Sequence, residues 1–232
     1  MSQLLSRPAV ASDRDFVATC IIEAEASGTE QTTYERVFGI SREEIFDFVC
    51  QLLDEDLECF EMSLPVFWVI ENDGKPVAGC AGWVECEYGG PSSATLRAQA
   101  LAYVLGREKW QASLADLQRV AAISMPRKAD FLQLEAFFVL PEFRGRWLTG
   151  RLVREQEERF RKQFPELKAS QMLVWGNNET ACRLYERQGY KIVDSTESKA
   201  GSAGEKAPAA FMFSMEKHFY YPIYLHLPTK KN

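Results

Sequence analysis

Two short segments of this chain carry residue types at spacings that could do chemistry. The first, VLPEFRGRWLTGRLV, joins the end of a β-like run to an amphipathic helix through Arg144, Gly145 and Arg146. A strand-to-helix junction presents unpaired backbone N–H groups and the positive end of a helix dipole, which together suit a phosphate or another anion. Residues 144–163 include seven basic side chains, and Arg144, Arg146, Arg151 and Arg154 all precede the first acid, Glu155. In a chain of net charge -6 this local excess points to a bound polyanion. The other reading of the same residues is a solvated helix face with Arg151–Glu155 and Arg154–Glu158 pairs. The second segment, NNETACRLYERQGYKIV, sets Asn178 as a cap, places Ala181, Leu184 and Tyr185 on related turns, and ends the helix at Gly189. Taken singly, it is an ordinary amphipathic helix whose tyrosine fills the core with its hydroxyl satisfied.

The elements that must position these segments follow from periodicity. Residues 13–62 carry Ile45, Phe46, Val49, Leu52 and Leu53 at helical spacing, which predicts two amphipathic helices, the second opened by a Ser41–Glu44 capping box. VFWVIENDGKPVAGCAGWVECEY reads as two strands joined at Asp73-Gly74, a pair suited to the positive φ of a hairpin turn. Residues 89–130 open with GGPSS and continue as helix, an insertion with no residue that looks catalytic. FLQLEAFFVL is a strand, 145–164 a helix with Leu148, Leu152, Val153 and Phe160 on its apolar stripe, and SQMLVWG a strand. A strand-helix-strand unit of this kind predicts a parallel pairing. KIVDS and AAFMFSMEK close the pattern as strands on either side of a small-residue loop.

Taken together, the two segments resemble the GNAT superfamily of acetyl-CoA-dependent N-acetyltransferases. The family's V-x-P-x-[YF]-R-G-x-G-x-[GA] loop is matched by Val139, Pro141, Phe143, Arg144 and Gly145, and its N-x-x-A-x-x-L-Y-E-x-x-G-[FY] helix by Asn178, Ala181, Leu184, Tyr185, Glu186, Gly189 and Tyr190. The specific motifs lie within residues 132–193. The resemblance implies an α/β (α+β) fold with a mixed, mostly antiparallel central sheet, helices on both faces and a parallel strand-helix-strand cofactor unit. It implies acetyl-CoA as co-substrate, held by Phe137, Phe138, Val139, Arg144, Gly145, Arg146, Trp147, Leu148, Thr149, Gly150, Asn178 and Ala181. The strand LEAFFV is similar to that of polyamine acetyltransferases, which makes Glu135 the candidate base for the acceptor amine, with Tyr185 placed to protonate the departing sulfur and the Val139 N–H to polarise the acetyl carbonyl. On this extended strand Glu135, Phe137 and Val139 share one face. The chain departs from the family at Trp147 and Thr149, where small residues are usual. Trp147 is expected to be a core aromatic of the helix's first turn, since Leu148, Leu152 and Val153 turn that end of the helix inward.

Composition narrows the rest. A chain of 232 residues, 46% hydrophobic and 26% charged, can bury one sizeable core and is expected to be a single domain, with a C-terminal tail at 218–232. No apolar run approaches the roughly 20 residues of a membrane span, and Arg7 and Asp13 interrupt what a signal peptide would need, so a cytoplasmic protein with no membrane partner is expected. Six cysteines without a C-x-x-C pair and only two histidines, His218 and His226, give neither a disulfide framework nor a metal site. A pI of about 5.2 argues against a nucleic-acid partner and leaves room for a cationic substrate. The acceptor is a small-molecule or peptide amine. The sequence names neither it nor the oligomeric state, and a homodimer is compatible with it. The alternative reading is a non-catalytic acyl-CoA-binding or sensing domain on the same fold.

Overall fold

Asp73 and Gly74 adopt φ of 52° and 78° and join β2 (Phe67–Asn72) to β3 (Lys75–Val84) as the expected antiparallel hairpin. The computed structural model describes residues 4–55, 60–197 and 206–219. From this hairpin a seven-stranded sheet extends in the order β1-β2-β3-β4-β5-β7-β6. Its other strands are β1 (Leu4–Pro8), β4 (Leu132–Val139), β5 (Ala169–Trp175), β6 (Lys191–Glu197) and β7 (Phe211–His218). Neighbours are antiparallel throughout except β4 and β5, which are parallel because α5 (Leu148–Gln163) crosses between them.

Strand β3 reads as a nearly continuous apolar run because both of its faces are covered. On one face α1 (Arg14–Ala26) lies so close that a Cβ on Gly79 would stand 3.2 Å from Cys20 Sγ. On the other, a Cβ on Gly82 would stand 2.9 Å from Gln156 Nε2 of α5. The first face carries the core built by α1, α2 (Thr33–Phe38), α3 (Arg42–Leu53) and α4 (Ser93–Ala121). The second buries Leu148, Leu152, Val153 and Phe160 of α5, with α6 (Glu179–Arg187) beside them. Each such leucine contributes about 1.5–3 kcal/mol by leaving water.

Residues 13–62 form three helices rather than two. Thr32 and Glu35 make a reciprocal capping box (3.0 and 2.7 Å) ahead of the expected one at Ser41 and Glu44 (3.1 and 2.7 Å). The helix it opens, α2, has six residues, too few to display a period. Strand β1 was likewise not expected; five residues do not establish alternation, and its place is set by the β2 register and by Arg7, which pairs with Asp13 and Glu71. The 89–130 insertion holds two consecutive helical segments, together α4, that meet at a kink at Gly106 (φ 75°, ψ 160°), followed by a non-helical return to β4. Residues 220–232 of the expected tail, with His226, and also Cys59 and residues 198–205 lie outside the described residues. Among the described residues the cysteines are free, and no helix is long and apolar enough to cross a membrane.

Candidate active site

Strand β4 pairs with β5 only at Leu132–Ser170 and Gln133–Gln171, so the rest of its edge on that side has no strand partner in the sheet. On its other edge β4 follows β3 through a bulge. Ala81 faces Glu135 and Gly79 faces Phe138, so Ala136 and Phe137 together oppose Cys80, with Ala136 at φ 53°. The expectation that Glu135, Phe137 and Val139 share one face is therefore corrected: the extra residue resets the alternation. Phe137 packs on Tyr185 with ring centroids 5.6 Å apart, and Val139 joins Leu148 and Leu152 beneath α5. Ala136 and Phe138 instead pack into the α1–α4 core, Phe138 against Phe16, and Glu135 enters a polar cluster with Arg127 and Glu61. Beyond the bulge Leu140 N donates to Val77 O (2.9 Å), and the ladder's alternation turns the Val139 N–H away from β3 toward the open edge.

The loop from β4 to α5 is exposed from Arg144 to Trp147. Gly145 has φ 75° with nothing within 4 Å of where a Cβ would stand, so the chain turns there with its backbone uncovered. Trp147 caps α5 with φ 62° and is 68% exposed. The expectation of a buried Trp147 is thus overturned: the left-handed cap directs its side chain outward, while Leu148, one residue on, is the first to enter the core. Arg144 Nε donates to Val139 O (3.2 Å), and Arg146 lies 4.9 Å from the Phe143 ring centroid. Arg151 is committed elsewhere, to Glu155 at 2.7 Å and to Leu4 O of β1 at 3.1 Å, and Arg159 stacks over Trp68. The basic run therefore divides, Arg144 and Arg146 staying at the loop while later arginines hold β1 and β2 to α5. Gly150 is buried, where a Cβ would meet the Gln188 side chain at 2.8 Å. No acid lies in the first turn of α5, so nothing there competes with an anion.

A cavity of about 860 Å³ is lined by Glu135 and Phe137 of β4, Thr149 of α5 and Tyr185 of α6, while Val139 and the Arg144–Leu148 loop lie outside its lining. One end is lined by Thr149, Asn178 and Ala181; Phe137 and Tyr185 lie along it. Asn178 Oδ1 accepts from Ala181 N at 3.1 Å and so fixes the start of α6. The other end is polar. Its charged residues are Glu25 of α1, Glu61, Glu85, Arg97 of α4, Arg127 and Glu135. Arg127 donates to both oxygens of Glu135 at 2.8 Å and lies over the Trp83 ring at 5.4 Å. Arg97 binds Glu61 at 2.6 Å, and the same Glu61 oxygen lies 3.5 Å from Arg127. Glu85 accepts from Trp83 Nε1 (2.9 Å) and from Ser93 N (3.0 Å).

Burial sets the protonation of this end. It raises the Glu25 carboxyl to about 7, the charges of Glu135 and Glu61 adding to the shift and the Thr33 hydroxyl and Arg97 opposing it. Burial acts the same way on Glu61, but the Arg97 and Arg127 guanidinium groups outweigh it and hold that carboxyl below its ordinary value. The Tyr185 hydroxyl is pushed far above its usual range by burial, with Cys80, Cys182 and Glu135 adding, and so stays protonated. Sequence reasoning missed Glu25, Glu61, Arg97 and Arg127. Only Glu25 gave a signal, a carboxylate within the apolar run CIIEAEA. Among the described residues no group of His, Cys, Asp and Glu is placed to hold a metal.

The fold, with a splayed parallel pair at the centre of a mostly antiparallel sheet and a glycine turn into α5 beside the splay, is shared with solved structures. One is described as an acetyltransferase (TM-score 0.61, 15% identity, 93% of this chain and 100% of that one). Another is an N-acetyltransferase from Staphylococcus aureus Mu50 (0.58, 14%, 92% and 100%). A third is the polyamine N-acetyltransferase of Drosophila melanogaster, which forms N-acetylagmatine (0.53, 16%, 94% and 100%). At such identities these likenesses concern the fold alone. No curated protein matches the sequence. The model of the acetyltransferase (GNAT) family matches residues 34–190, and the chain belongs to that family.

Proposed function

We propose that the protein transfers an acetyl group from acetyl-CoA to the nitrogen of a primary amine by direct attack in a ternary complex. The observation that carries this reading is the single cavity running from the start of α5, past the open β4 edge and Tyr185, to a cluster of carboxylates. The residues fit the donor. The uncovered N–H groups from Gly145 into the first turn of α5, together with Arg144 and Arg146, suit the pyrophosphate. The Val139 N–H on the open edge suits the pantetheine arm and the acetyl carbonyl. Thr149, Asn178 and Ala181 line the end of the cavity nearest the start of α5.

In the reaction the amine's lone pair attacks the acetyl carbon, the C–N bond forms, the C–S bond breaks and the sulfur leaves as a thiolate. The Tyr185 hydroxyl, still protonated and in the cavity wall, gives that thiolate its proton and recovers one from the nitrogen, which must lose it to become an amide. Glu135, with both oxygens held by Arg127, supplies negative charge to the acceptor end rather than an open base. Trp147 does not speak for a non-catalytic reading, since the exposed left-handed cap leaves the loop backbone uncovered. The test is binding followed by turnover. Acetyl-CoA at millimolar concentration should raise the melting temperature, and Arg144→Ala with Arg146→Ala should weaken CoA more than a truncated pantetheine thioester. No shift with acetyl-CoA would refute the proposal, and equal losses for the two ligands would remove the arginines from the phosphate site.

A further inference from the structure

The acceptor end of the cavity has more negative charge than its own arginines neutralise, and one of its acceptors has no donor. Glu25, Glu61, Glu85 and Glu135 line it against Arg97 and Arg127, leaving two negative charges in excess when all are ionised. Glu61 is 6% exposed; Oε1 receives Arg97 and approaches Arg127, whereas its buried Oε2 has no hydrogen-bond partner. A buried carboxylate oxygen left without a donor is costly, and a site built around one is completed by a ligand that donates. The two oxygens of Glu135 are taken by Arg127, and Glu85 already accepts from Trp83 and Ser93. Glu61 Oε2 and Glu25 are the acceptors left for a ligand.

We infer that the acceptor is a cationic amine without a carboxylate, anchored as its ammonium by Glu61 Oε2, and that Glu25 takes the ammonium's proton before acetyl transfer. This rests on the acetyltransferase reading above and names its substrate class and base. The ammonium gives one proton to the Glu25 carboxylate, the nitrogen lone pair so freed attacks the acetyl carbon, and that proton later leaves Glu25 for water. The carboxyl value of about 7 makes Glu25 an acceptor that works near neutrality, where an unperturbed carboxylate would be a far weaker base. The groups facing it are Thr33 and Tyr34 of α2, Arg97 of α4, Glu61, and Glu135 of β4. Of these, the Thr33 hydroxyl and Arg97 favour its ionised form, while Glu135 and Glu61 oppose it. An amine that carried a carboxylate would add a third excess negative charge to the same walls.

The experiment is calorimetric titration of the CoA-saturated protein with three amines of equal length: 1,6-diaminohexane, hexylamine and 6-aminohexanoate. The diamine should bind best and 6-aminohexanoate at least about tenfold more weakly than hexylamine, an order of magnitude for one unfavourable buried charge. Affinity for the diamine should rise between pH 6 and pH 8 in the wild type and stay flat in Glu25→Gln. Glu61→Gln should lose at least about tenfold in affinity for both cationic amines, with an unchanged acetyl-CoA thermal shift reporting that the fold and donor site survive. If Glu61→Gln does not fold, the Glu25→Gln profile and the amine ranking decide alone. Tighter binding of 6-aminohexanoate than of hexylamine, or no binding of any of the three to a protein that binds CoA, overturns the inference. Failure to bind CoA itself would instead count against the acetyltransferase reading.

Discussion

Arg127, which is buried, and Glu135, which is partly buried, form a bidentate ion pair with both guanidinium-to-carboxylate distances at 2.8 Å, across eight residues of sequence. It ties the return from α4 to the strand beside the cavity. Removing one partner leaves a charge in a poorly hydrated wall, so Arg127→Ala should cost about 3–5 kcal/mol, while Arg127→Met combined with Glu135→Met should cost far less. Urea unfolding of the two variants checks this, and equal losses would show that the pair itself, rather than the orphaned carboxylate, carries the stability.

Trp147→Gly should leave the fold intact. The residue is exposed and already in the left-handed region that glycine occupies without strain, so its removal neither opens a cavity nor distorts the cap. The expected stability change is within about 1 kcal/mol, with acetyl-CoA affinity unchanged or higher. A loss of about 3–5 kcal/mol, the cost of emptying an aromatic site in the core, would contradict the observed exposure.

Tyr185→Phe should lower kcat with little change in the KM for acetyl-CoA. The ring, packed on Phe137 and Tyr190, is retained, and only the hydroxyl proposed to serve the sulfur is lost. Steady-state kinetics on a turned-over amine decide it, and an equal rise in KM with kcat unchanged would make the hydroxyl a binding group instead.

Glu25 should make stability fall as pH rises. Its carboxyl holds a proton more tightly folded, at about 7, than an unfolded glutamate does, so the folded state gains from protonation at acid pH. That gain disappears as pH climbs from about 4.5 through about 7. The melting temperature of the wild type should therefore drop across this window relative to Glu25→Gln, whose profile should be flatter there. Parallel profiles would mean that Glu25 is hydrated and ordinary.

Local sequence determined the parts of this protein whose cause is local. The Asp73-Gly74 turn, the Ser41–Glu44 box and the Asn178 cap each need only a few neighbouring residues, and each formed as its residue types require. The apolar stripe of α5 and the motif around Arg144 and Gly145 were legible for the same reason: a period or a turn is written in consecutive positions. What tertiary structure alone decided was where these parts meet. The bulge at Ala136 depends on how β3 and β4 align, and it moved Glu135 away from Phe137 and Val139. Trp147 faces water because a positive φ at one cap residue redirects its side chain, a conformation that its residue type does not announce. Glu25, Glu61, Arg97 and Arg127 lie far apart in the chain and become one cluster only when α1, α4 and β4 close around the same cavity. Charge complementarity between such groups acts through a few ångströms of poorly hydrated space and leaves no spacing rule in the sequence.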